Sequence, residues 1–86
     1  MKTISFTKAA WADYNYWVST DQKKLKKINS LIDEVTRTPF AGTGQPEQLK
    51  HQLSGFWSRR IDHENRLVYA VRNENIEIIS CKGHCR

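Results

Sequence analysis

Long apolar runs are missing: nothing in the 86-residue chain approaches the roughly 20 consecutive apolar residues of a membrane-spanning helix. The opening Met1-Lys2-Thr3-Ile4-Ser5-Phe6 holds no apolar stretch of signal-peptide length, so a cytoplasmic chain with no membrane partner is the expectation. Cysteine is scarce. Cys81 and Cys85 are the only two, both near the end, and in such a chain they are expected to be free thiols. His84 lies between them, but zinc takes about four ligands in a recognisable spacing and no second Cys/His pair sits elsewhere. Neither a metal nor another cofactor is expected. Glycine is scarce too. Gly42-Thr43-Gly44 has no Gly-Lys-Ser/Thr sequel and no strand before it, which argues against a phosphate-cradling loop and for a flexible connector. Repeats, linkers and low-complexity segments are absent, so residues 1–86 read as one small domain. Acidic residues are outnumbered, 9 against 14 basic ones, for a net charge of +5. That balance suits a polyanionic partner, either nucleic acid or an acidic protein.

What is present falls into short, well-marked elements. Ile4 and Phe6 alternate with polar residues, as in a short strand over residues 2–6. Thr7 is placed to cap a helix over 9–18, whose stripe of Trp11, Tyr14 and Val18, flanked by Ala10 and Trp17, is expected to dock on the core. Ser19-Thr20-Asp21 supplies the next cap. A second helix over 22–36 carries Leu25, Ile28, Leu31, Ile32 and Val35 on one side and Lys23, Lys24, Lys26 and Lys27 on the other. The lysine face suits either solvent or a phosphate backbone. Thr38-Pro39 ends that helix. Pro46 to Lys50 is expected to form one helical turn, with Glu47 and Lys50 sharing a face. Three strands follow, over 56–61, 66–72 and 76–81, joined by turns at Asp62–Asn65 and Asn73–Asn75. A strand, a helical hairpin and then an antiparallel meander make an α+β two-layer domain.

Alternation on the strands sorts the polar residues. Leu67, Tyr69 and Val71 point to one side of the sheet, and Arg66, Val68, Ala70 and Arg72 to the other. The helices should cover the apolar side. On the preceding strand Ser58 and Arg60 alternate with Trp57 and Arg59, so at least one of Arg59 and Arg60 shares the open face with Arg66. Arginines on an open sheet face suit phosphate, because the guanidinium fork matches its geometry.

The run Pro46-Glu47-Gln48-Leu49-Lys50-His51, then Leu53-Ser54-Gly55-Phe56-Trp57-Ser58-Arg59-Arg60-Ile61, then Glu64-Asn65-Arg66-Leu67-Val68-Tyr69 closely resembles the YoeB toxins of the RelE/ParE superfamily. Trp11-Ala12-Asp13-Tyr14 with Tyr16-Trp17, Arg37 with Pro39-Phe40, and the histidine-bearing tail extend the resemblance over nearly the whole chain. The resemblance implies a RelE/ParE-like, microbial-RNase-like fold. It implies a type II toxin that cleaves messenger RNA in the A site of the 70S ribosome, tends to dimerise, and is held inactive by a YefM-like antitoxin. Operator DNA would be met only through the antitoxin complex. The family's acid–base pair and arginine map onto Glu47, His84 and Arg66, all catalytic. Lys50 and His51 fall in the same loop motif and are candidate substrate contacts, as are Arg59, Arg60 and Cys85.

Residue chemistry is consistent with that implication. RNA carries its own nucleophile, the 2′-hydroxyl. Cleavage needs a base for its proton, a cation for the pentacovalent phosphate and an acid for the leaving 5′-oxygen. A carboxylate, a guanidinium and an imidazole with an unperturbed pKa of roughly 6.5 can fill those parts. The antitoxin is expected to lay an acidic segment across Arg59, Arg60 and Arg66. The tail departs from the family, which ends His-Tyr where this chain has His84-Cys85-Arg86. Cysteine cannot stack and its thiol is a weak donor. A natural variant of altered activity, an engineered attenuation, and compensation by Arg86 all fit that change. Rival readings are an attenuated toxin homologue that binds RNA or antitoxin without turnover, and a ParE-like inhibitor of DNA gyrase.

Overall fold

A computed structural model describes residues 2–50 and 55–83. Its elements are β1 (Thr3–Phe6), α1 (Lys8–Thr20), α2 (Gln22–Arg37), β2 (Glu47–Gln48), β3 (Phe56–Arg60), β4 (Arg66–Val71) and β5 (Asn75–Ser80). The strands form one five-stranded sheet in the order β1-β5-β4-β3-β2. β3, β4 and β5 are the expected antiparallel meander. β1 joins it in parallel at the β5 edge, and β2 is antiparallel at the other edge. None of the described helices is long and apolar enough to cross a membrane.

The two helix starts follow the caps. The Thr7 hydroxyl accepts from the Ala10 N–H at 3.0 Å, and the Asp21 carboxylate accepts from the Lys24 N–H at 3.0 Å. Asp21 also donates its own N–H to Trp17 O, so one residue closes α1 and opens α2. The hairpin is therefore tight, and both helices lie on the same side of the sheet. Ile28, Leu31, Ile32 and Val35 of α2 meet Leu67, Tyr69, Ile76 and Ile78 of the sheet, with Ala10 and Trp17 of α1 completing the core. Burying one such aliphatic side chain contributes about 1.5–3 kcal/mol.

The α1 stripe differs from expectation. Ala10 and Trp17 are its buried residues, while Trp11 is 54% and Val18 41% exposed. Trp11 instead stacks on Tyr14, with ring centroids 5.8 Å apart, and meets the edge of Phe6 at 5.6 Å. The helix is apolar on several sides, so spacing alone does not select the docked one. Trp17 does, because its indole N–H donates to Cys81 O at 2.9 Å.

Residues 40–46 are not a flexible connector, and residues 46–50 are not a helical turn. Arg59 is fully buried on the helix side of β3. Its guanidinium donates to Thr38 O, to Ala41 O at 2.9 Å and to Thr43 O at 3.2 Å, and its Nε donates to the Tyr69 hydroxyl at 3.1 Å. Glu34 closes the cluster, 3.7 Å from Arg59 and accepting from the Thr43 N–H at 3.0 Å. That hydrogen bond, with the nearby Arg59 charge, holds its carboxyl below the usual range. Gly42, at φ +124°, passes so close that a Cβ would stand 2.1 Å from the Glu34 carboxylate. The loop is thus wrapped around one cation. It continues into Glu47 and Gln48, which pair with Ser58 and Trp57 as an edge strand rather than coiling.

Replacing Arg59 with methionine strips three carbonyls of their donor and Glu34 of its counter-charge. Removing one partner of a buried charge network costs about 3–5 kcal/mol. Urea unfolding of Arg59→Met is expected to show a loss of that size, against less than about 1 kcal/mol for the surface change Lys23→Met.

Candidate functional site

The face of the sheet opposite the helices carries the polar cluster. Strand pairing places Glu47 beside Ser58, Ser58 beside Val68, and Arg60 beside Arg66. Three neighbouring strands therefore contribute to one face. The Arg66 Nε donates to the Ser58 hydroxyl at 3.1 Å. Its Nη2 lies 3.5 Å from a Glu47 carboxylate oxygen. The Arg66 side chain is 19% exposed and that of Glu47 is 68% exposed. The carboxylate is thus open to a ligand while the guanidinium is held from below. Ser58 is buried and the sequence reading passed over it as a functional residue. The signal was available, since strand alternation gives it the same face as Arg60 and Arg66.

Of the other sequence-derived candidates, Arg60 lies on this face, exposed and paired in register with Arg66. Lys50 is exposed and lies two residues beyond the end of β2. Arg59 is a correction: as a candidate substrate contact it is misplaced, because its side chain points into the helix layer and is fully buried there. One arginine of the pair serves the open face and the other the loop. His51, His84 and Cys85 lie outside the described residues.

The last described residues reach the same corner. Cys81 donates its N–H to the Asp13 carboxylate at 3.0 Å. Gly83 donates to the Asn65 side-chain oxygen at 2.8 Å and accepts from the Arg66 N–H at 3.0 Å. The turn before Arg66 is itself bound to α2. The Asp62 carboxylate accepts from the Lys24 ammonium, from the Glu64 and Asn65 N–H groups at 2.9 and 2.8 Å, and from the Asn65 amide at 3.0 Å. Burial alone would raise the Asp62 pKa, but these donors outweigh it and hold the carboxyl down at about 2. The Cys81 thiol is pushed up to about 12, by burial and then by the Asp13 charge, so it is a packing group rather than a nucleophile. Among the described residues there is no cluster of three or more His, Cys, Asp or Glu side chains able to hold a metal ion.

A family model for the YoeB-like toxin of bacterial type II toxin-antitoxin systems matches residues 6–85. Toxin YoeB of Escherichia coli strain K12 is 55% identical over 84 residues, covering 98% of this chain and 99% of that protein. A YoeB/ParE toxin from Agrobacterium tumefaciens superposes with a TM-score of 0.95 at 46% identity, covering 99% of this chain and 100% of that one. YoeB of Staphylococcus aureus is similar in two solved forms. As a dimer it gives a TM-score of 0.91 at 46% identity, with 98% of each chain covered. In a heterotetrameric YoeB-YefM toxin-antitoxin complex it gives 0.90 at 45% identity, with 99% of each covered.

The depressed Asp62 pKa has a signed consequence. Its folded value lies below the ordinary 3.8, so the carboxylate stabilises the fold above about pH 4. That contribution is lost as the pH falls through about 2. Thermal melting of the wild-type chain and Asp62→Asn is expected to differ most above pH 5 and to converge as the pH approaches about 2. A gap that stays constant across this range would show that Asp62 is not held in its charged form by the turn.

Proposed function

The chain belongs to the family of YoeB-like toxins of bacterial type II toxin–antitoxin systems, and we propose that it is a ribosome-dependent endoribonuclease that cuts messenger RNA in the A site. The observation that supports this most directly is the Glu47–Arg66 pair, 3.5 Å apart on the open face. Glu47 takes the proton of the 2′-hydroxyl. The 2′-oxygen attacks the adjacent phosphorus, and Arg66 neutralises the charge that builds on the non-bridging oxygens. His84 gives its proton to the departing 5′-oxygen. The products are a 2′,3′-cyclic phosphate and a 5′-hydroxyl end. Each proton transfer and the charge stabilisation is assigned to a side chain of this protein. Ser58 holds the Arg66 guanidinium in place while its far edge faces substrate.

Arg60 and Lys50 bring further positive charge to the phosphates flanking the cut. The ribosome holds the message in place, which suits a small site with one exposed carboxylate rather than a deep RNA-binding groove. The His84-Cys85-Arg86 ending lacks the aromatic ring of a His-Tyr tail, and cleavage is proposed to be slower for that reason. A gyrase-inhibiting reading has no use for an exposed carboxylate held beside a guanidinium.

The YoeB-YefM complex of Staphylococcus aureus supports an antitoxin partner of the YefM kind, and the YoeB dimer of that organism supports self-association. In this reading an acidic antitoxin segment lies over Arg60 and Arg66 and blocks the message. Operator DNA is reached through the antitoxin. The chain acts in the cytoplasm, where its ribosome-bound substrate is.

Primer extension on a message programmed into purified ribosomes tests the reading. The wild-type chain is expected to leave a cut within the A-site codon. Glu47→Ala is expected to lower the single-turnover rate by about 10²–10⁴-fold, the usual worth of a general base. A Glu47→Ala chain that cuts at the wild-type rate would remove the proposal.

A further inference from the structure

β2 and the loop before it differ in register by one residue. Glu47 stands opposite Ser58 and Gln48 opposite Trp57. The Leu49 N–H donates to Phe56 O at 2.9 Å in the same register. Continued backwards, that register would bring the Arg60 N–H to Gln45 O. The Arg60 N–H instead donates to Gly44 O, at 2.7 Å. Gly44 and Gln45 therefore share the place of one residue opposite Arg60, which is a β-bulge.

Neither neighbour of Gln45 can take up the extra residue. Gly44 is pinned: a Cβ there would stand 3.0 Å from Arg60 O and 3.1 Å from Arg59 Cβ. The loop before it is bound to the Arg59 guanidinium through Ala41 O and Thr43 O. Pro46 has its φ fixed by its own ring. The offset falls on Gln45, whose φ of +53° is the one positive φ outside glycine among the described residues. That left-handed conformation is uncommon for a residue with a Cβ. The Gln45 side chain is exposed, and among the described residues its N–H makes no hydrogen bond. The bulge uses the backbone shape of Gln45 rather than a contact of its side chain.

The extra residue decides which side chain faces the arginines. Without it Gln45 would stand opposite Arg59, Pro46 opposite Ser58 and Glu47 opposite Trp57. Paired residues share a face of the sheet, and Trp57 is paired with Tyr69 on the helix side. A slip of one residue would turn the Glu47 carboxylate away from Arg66 and leave Pro46 and Gln48 on the open face. We infer that Gln45 is a positioning residue: its left-handed backbone absorbs one residue between the Arg59 loop and β2, and so turns Glu47 toward Arg66. The effect on cleavage rests on the proposed reading, in which Glu47 is the general base. The effect on strand pairing stands apart from that reading.

Gln45→Pro and Gln45→Gly test this in the full chain, by backbone NMR of the free protein and by single-turnover cleavage on programmed ribosomes. Proline holds φ at about −65° and is barred from the left-handed region, whereas glycine enters it without strain. Gln45→Gly is expected to keep the nuclear Overhauser contacts that pair Glu47 with Ser58, and to cleave within about 3-fold of the wild-type rate. Gln45→Pro is expected to lose those contacts and to cleave ~10²–10⁴-fold more slowly, as when a general base is misplaced. Both variants should melt close to wild type, because the affected strand is two residues at the edge of the sheet. A Gln45→Pro chain that keeps Glu47 opposite Ser58, or a Gln45→Gly chain that loses that pairing, would overturn the inference and leave the catalytic reading standing. Displaced pairing in Gln45→Pro with cleavage at the wild-type rate, or no cleavage by the wild-type chain, would overturn the reading of Glu47 as base and with it the inferred effect on cleavage.

Discussion

A single buried cation organises the half of the molecule that holds the candidate site. Arg59 sits in the helix layer with no exposed surface, and a guanidinium there must be surrounded by acceptors. The chain between α2 and β2 supplies them, bending its Thr38, Ala41 and Thr43 carbonyls around the charge while Glu34 and Tyr69 close the remaining sides. Once that loop is wrapped, the course of the next residues is restricted. Gly44 O accepts from the Arg60 N–H at 2.7 Å, which lays the following segment along β3. Glu47 then arrives opposite Ser58. A structural cation on one face of β3 thereby sets the position of a carboxylate on the other.

The open face is built on the same economy of parts. Ser58 is one residue from Arg59 and points the other way, where it accepts from Arg66. The Arg66 side chain bridges Ser58 and Glu47, and its backbone binds Gly83. The turn that precedes it is fastened to α2 through the Asp62–Lys24 ion pair. Helix layer, loop and strand turn therefore all converge on the Arg66 corner. The net charge of +5 adds a general attraction for polyanions, and the site supplies the local geometry.

Much of this could be read from the residues, for reasons that differ by element. The second helix was plain because Leu25, Ile28, Leu31, Ile32 and Val35 share one side and lysines fill others. The meander was plain because its strands alternate and its turns hold Asp, Asn and Glu. The first helix was less so, since Trp11, Tyr14, Tyr16, Trp17 and Val18 leave few polar positions to mark its outer side. The β2 segment is not legible in the sequence because two residues carry no periodicity, and pairing with β3 decides its form. Arg59 and Arg60 were separable in principle. Trp57 has the parity of Arg59, and an indole of that size belongs with the helices. What opposed that assignment was the cost of burying a charge, which the sequence cannot show to be offset by carbonyls from a loop. The Glu47–Arg66 association was legible only through family resemblance, because its two residues are 19 positions apart on non-adjacent strands.

The central claim is that the Glu47–Arg66 face promotes attack by the RNA's own 2′-hydroxyl. The most direct measurement replaces that hydroxyl with hydrogen at the nucleotide immediately 5′ of the cut in a ribosome-bound message, then follows a single turnover. The account predicts no cleavage at that position, while the all-ribose message yields a 2′,3′-cyclic phosphate end. Cleavage of the 2′-deoxy message at an undiminished rate would mean that another nucleophile attacks the phosphorus, and the account would be contradicted.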